Sequence, residues 1–80
     1  MGVYNAVKNR ILVLLEDKKM SIHKLAIESG VAPSSIKNIL YGKSKNPGIC
    51  TLKMLCDGFG ITLLDFFNCE ELKNIEQEIK

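Results

Sequence analysis

Two glycines with a proline between them, Gly30, Pro33 and Gly42, constrain this chain more than any other feature. The stretch from Ser21 to Gly42, SIHKLAIESGVAPSSIKNILYG, cannot run as a single helix. Gly30-Val31-Ala32 interrupts it, and Pro33 has no N–H, which a helix tolerates only in its first turn. The segment therefore reads as two short helices, over residues 21–29 and 33–41, joined by a tight turn. Ser21 is a good N-cap for the first, which carries Ile22, Leu25 and Ala26 inward and stops at Gly30. The second buries Ile36, Ile39 and Leu40 and ends at Gly42, a left-handed terminator.

The flanking segments follow the same 3.6-residue logic. Val7, Ile11, Leu14 and Leu15 recur at i, i+4, i+7 and i+8, which predicts an amphipathic helix near residues 5–17. KSKNPG, residues 43–48, is the clearest loop. A fourth helix follows, with Ile49, Leu52, Leu55 and Cys56 as its apolar stripe and an end around Gly58 to Gly60. Thr62 with Asp65 three residues on resembles a capping box and opens a short fifth helix, Leu63 to Phe67. Leu72, Ile75 and Ile79 predict a further helix in residues 70–80. Nothing reads as a strand or a repeat. The expected fold is all-α: a five-helix domain over residues 1–68 and an amphipathic tail over 69–80.

Eighty residues hold one small domain. Its 46% hydrophobic and 25% charged residues are those of a globular chain. No apolar run reaches the ~20 residues that span a bilayer. Ile11–Leu15 is too short for a signal sequence, and Ala6 stands where a myristoylation motif has Ser or Thr. A soluble, cytoplasmic chain is expected, with no membrane partner. Cys50, Cys56 and Cys69 are odd in number and lack metal-ligand spacing, which argues against a disulfide framework and against zinc. Cys50 and Cys56 are expected as small buried hydrophobes.

The net charge of +2 conceals a division. Residues 1–45 carry Lys8, Arg10, Lys18, Lys19, Lys24, Lys37, Lys43 and Lys45 against Glu16, Asp17 and Glu28, giving +5. Residues 46–80 carry Lys53, Lys73 and Lys80 against Asp57, Asp65, Glu70, Glu71, Glu76 and Glu78, giving −3. A basic half that contains a helix-turn-helix suits a polyanion. A helix-turn-helix holds its second helix out for the DNA major groove. On that helix Asn38 has the chemistry to pair with adenine N6/N7, Lys37 to donate to guanine O6/N7, and Ser34 to serve either.

The order Leu25-Ala26, Gly30-Val31, Ile36, Ile39, Gly42-Lys43, Pro47 and Phe59-Gly60-Ile61-Thr62 resembles the lambda-type phage repressors and Cro proteins, the XRE-like helix-turn-helix family, over roughly residues 5–67. The resemblance implies that the third helix is the recognition helix, presenting Pro33, Ser34, Lys37 and Asn38 to the groove. It also implies phosphate contacts from the start of the second helix, at Ser21 and His23, from Ser35, and from Tyr41, Lys43, Ser44, Lys45 and Asn46. Tyr41 suits a half-buried packing role equally well. Three positions depart from the family pattern. Ile22 stands where a phosphate-binding Gln is common. Leu15 and Leu40 occupy the places of a buried Arg–Glu pair. Gly48 replaces a polar helix cap.

Lambda-type domains bind paired half-sites as dimers, so a homodimer built from Phe66, Phe67, Leu72, Ile75 and Ile79 is expected, with the tail packing either in cis or on the partner. The function expected is a bacterial or phage transcriptional regulator, by default a repressor on a palindromic operator. The alternative is an antitoxin or adaptor that uses the same fold to hold a protein partner. An enzyme is not expected: there is no paired-carboxylate site, Cys–His arrangement, phosphate-binding glycine loop or metal cluster, and no cofactor or small-molecule ligand is implied.

Overall fold

The computed structural model describes residues 2–75 and 77. Its six helices are α1 (Val3–Asp17), α2 (Ile22–Ser29), α3 (Pro33–Leu40), α4 (Ile49–Phe59), α5 (Leu63–Phe67) and α6 (Glu70–Lys73). The architecture is all-helical, as the apolar periodicity predicts.

Each boundary has a local cause. α1 begins two residues earlier than expected, capped by the extended Gly2. It ends where Lys19 turns left-handed at φ 53°, with the N–H groups of Lys19 and Met20 donating back to Glu16 and Leu15. This is a Schellman closure made without its usual glycine. The Ser21 hydroxyl caps α2 by accepting the Lys24 N–H at 3.0 Å. Thr62 caps α5 in the same way, accepting from Asp65 at 3.0 Å. α4 runs through Gly58 and closes at the left-handed Gly60.

The helices enclose one core, in which Phe66, Ile11, Leu25, Ile36, Leu55 and Cys56 are fully buried. Leu15 and Leu40 both lie in it, as two aliphatics of the same cluster. The Arg10 guanidinium donates from Nε to the Phe66 carbonyl and from Nη2 to the Asp65 carbonyl, both at 2.8 Å. A cation thus fastens α1 to the C-terminal end of α5, where helix carbonyls lack intrahelical partners. α2 lies chiefly on α4, and α1 contacts α3 and α6.

Three expectations are corrected. Ile49 is 59% exposed, because Leu52, Leu55, Cys56 and Phe59 already form the inward stripe of α4 and leave its first residue outside. Cys50 is exposed as well, and of the pair only Cys56 is buried. Burial pushes the Cys56 thiol pKa up, partly opposed by the Lys53 ammonium. The tail helix is a single turn that closes at Asn74, whose backbone N–H and side-chain Nδ2 both donate to the Glu70 carbonyl. Asn competes for backbone groups in this way and stops helices. Leu72 packs on the domain's own core, and Asn9 donates to the Glu71 carboxylate at 3.1 Å, so this turn docks in cis on α1.

Candidate nucleic-acid interface

The geometry of α2 and α3 follows from a few short-range bonds. Gly30, at φ 75°, donates to the Ala26 carbonyl and reverses the chain. The Ser29 hydroxyl accepts the Val31 N–H at 3.2 Å, and Val31 is buried beneath the turn. Ala32 then accepts from Ser35 and Ile36 as α3 begins. Pro33 fits here because the first-turn N–H it lacks would have no intrahelical acceptor.

α3 is divided sharply by side. Ile36, Ile39 and Leu40 are buried. Ser34, Lys37, Asn38 and Tyr41, spaced i, i+3, i+4 and i+7, are exposed on the other side, joined by Pro33 and Ser35. At 100° per residue the four lie in one stripe along the helix. Tyr41 is 70% exposed, which removes the packing role and leaves its hydroxyl at the surface.

Beyond α3 the chain turns at Gly42, φ 86°, and the Ser44 N–H donates to the Asn38 carbonyl at 2.9 Å. That bond folds the loop back beside the exposed stripe of α3. Lys43, Lys45 and Asn46 are exposed there, and Ser44 is half-buried. Ser21 and His23 are exposed at the N-terminal end of α2, where the first N–H groups have no intrahelical acceptor. Ile22 is half-buried and packs against the core, so this end has no polar side chain at that position. From Ser29 to Cys56 the chain contains no acid, and the Glu28 carboxylate is paired with Lys24 at 2.9 Å. Lys37, Lys43 and Lys45 therefore have no acidic neighbour within this stretch of chain. Among the described residues no three His, Cys, Asp or Glu side chains are grouped to hold a metal ion, and no helix is long and apolar enough to cross a membrane.

The residues expected at a dimer contact differ in exposure. Phe66 is 0% exposed, so it is core and is corrected out of any surface role. Phe67 is half-buried, edge-on to the Phe66 ring at 5.2 Å between centroids. Leu72 is partly buried and Ile75 is 37% exposed. Ile79 lies outside the described residues. Leu64, which periodicity alone does not single out, is 80% exposed beside Phe67, Asn68 and Lys73.

Sequence reasoning passes over Tyr4, whose hydroxyl donates to the Ile39 carbonyl at 2.6 Å, and Arg10. The three bonds these residues make join positions far apart in the chain, and no local pattern encodes them. Gly58 did leave a signal. A glycine inside an otherwise regular apolar stripe marks a close approach of another backbone, and here Ser29 of α2 comes against it.

Two helices set across a left-handed glycine, the second with one apolar side and one basic polar side, define a helix-turn-helix DNA-binding domain. Residues 10–71 match the Cro/C1-type HTH DNA-binding domain, and the chain belongs to that family. No curated protein matches the sequence.

Proposed function

We propose that this DNA-binding protein is a sequence-specific transcriptional repressor that binds a palindromic operator as a homodimer. The observation that carries the reading is the exposed stripe of α3. Ser34, Lys37 and Asn38 stand where a helix laid in the major groove meets base edges, with Pro33 offering apolar contact to a thymine methyl. Around the stripe, Ser21, His23, Ser35, Tyr41, Lys43, Ser44, Lys45 and Asn46 supply donors for phosphates on either side. Repression follows if the occupied site overlaps the polymerase's own. The homodimer rests on Leu64, Phe67 and Ile75, since a monomer reads only one half-site.

Selection of bound sequences from a random DNA pool tests this. The expected result is a two-fold symmetric motif, and Asn38→Ala should lose about 1–3 kcal/mol of discrimination at one base position of each half-site. A motif without symmetry refutes the dimer. No motif at all refutes sequence-specific reading and favours the adaptor or antitoxin role, in which the exposed Leu64 and its neighbours hold a protein partner.

A further inference from the structure

The recognition helix is eight residues long, and its last carbonyls have no partners within it. Three of them are met from different places. The Lys37 carbonyl accepts the Tyr41 N–H at 2.8 Å, and the Asn38 carbonyl accepts the Ser44 N–H at 2.9 Å. The Ile39 carbonyl accepts the Tyr4 hydroxyl at 2.6 Å. The first two bonds are local and move with the helix and its loop. The third comes from α1, 35 residues away, and ties the end of α3 to the body of the domain.

Around this bond Leu15, Ile36, Ile39 and Leu40 supply apolar packing. Leu15 and Leu40 lie in the buried cluster, and aliphatic packing fixes distance better than rotation. Tyr4 also borders the loop: its hydroxyl lies 3.8 Å from where a Cβ on Gly42 would project, and its side chain lines a cleft with Lys45, Asn46 and Pro47. One side chain therefore meets the end of the recognition helix and the start of the basic loop together.

We propose that Tyr4 is a positioning residue for DNA reading, a latch that sets the rotation of α3 and the placement of the 43–48 loop relative to the domain. The proposal rests on α3 being the groove-reading element. Side chains that read base edges must be held to within about half an ångström by supporting hydrogen bonds. Tyr4 supplies that support through a neutral hydroxyl that needs no buried charge.

Tyr4→Phe keeps the ring and removes only the hydroxyl. Its preference for the selected operator over unrelated DNA is expected to fall about three- to ten-fold, the range one neutral hydrogen bond supports. The salt dependence should stay unchanged, because no phosphate contact is lost. Hydrogen exchange of the free protein gives a second readout: the Tyr41 and Ser44 amides should exchange faster while the Leu55 and Cys56 amides keep their protection. A global loss of stability would instead speed all four amides and leave the operator preference of the folded protein intact, and that result overturns the proposal. So does unchanged preference with unchanged exchange at Tyr41 and Ser44. If Asn38→Ala proves silent on every sequence, the groove assignment itself has failed, and exchange at Tyr41 and Ser44 still decides whether Tyr4 latches the helix.

Discussion

Gly58→Ala should destabilise the protein, although the same change on an exposed helix would stabilise it. Gly58 lies inside α4 and is buried against the last residue of α2. A Cβ placed there would sit 2.8 Å from Ser29 Cβ, 3.0 Å from its backbone N and 3.1 Å from its Cα. Carbon atoms pack best at about 3.5–4.0 Å, so α2 and α4 must separate by roughly half an ångström. Two of the three obstructing atoms are backbone and cannot rotate away. Overpacking of this kind costs about 1–3 kcal/mol, toward the upper end where backbone must move. Alanine returns about 0.8–1 kcal/mol of helix propensity. The balance is a loss of ~1–2 kcal/mol, or a Tm lower by roughly 5–15 °C in a domain this size. Thermal and urea unfolding followed by far-UV circular dichroism measure it. Ser29→Gly removes the shortest contact, so the double variant should be more stable than the sum of the single changes predicts. Gly58→Ala with a Tm equal to or above the parent's refutes the argument.

Three other outcomes follow from the geometry. Lys19→Gly relieves a left-handed residue that costs an L-amino acid about 1–2 kcal/mol, offset in part by the freer unfolded chain, so Tm should rise by a few degrees. Lys45→Ala should weaken binding to all DNA sequences about equally and lower the slope of log affinity against log salt by about one. Cys50 should react with a thiol reagent in the native state, whereas Cys56 should react only on unfolding. Because the folded state raises the Cys56 pKa, native protein keeps a proton that unfolded chain releases. That contribution is whole below the ordinary thiol value of about 8.5 and is lost as pH climbs toward the raised native value; unfolding curves of Cys56→Ala should lack this part of the alkaline decline.

The helix-turn-helix was legible because its signals are local. Pro33 fits only a first turn, Gly30 and Gly42 take left-handed conformations, and Ser21 reaches its own helix three residues on. The outward stripe of α3 followed from the inward one. What was not legible depends on competition or on distance. Ile49 fits the period of α4, but four later residues fill the core first. Leu72, Ile75 and Ile79 keep helical spacing, yet Asn74 captures the Glu70 carbonyl after one turn. Gly58 resembled a terminator until Gly60 proved to be the residue that turns the chain. Tyr4 and Arg10 find their partners only once the whole chain has closed.

The binding of Arg10 to the carbonyls of Asp65 and Phe66 has a consequence for how this surface meets a nucleic acid. Arg10 is the chain's sole arginine, and its guanidinium is occupied in joining two helices. Every remaining fixed cation is a lysine, a compact point charge without the planar fork that grips guanine O6 and N7 together. Such a surface senses the density of negative charge along a groove more keenly than the identity of a guanine. On the proposed reading of α3, discrimination then falls to the Asn38 amide and to the shape and stiffness of the DNA itself.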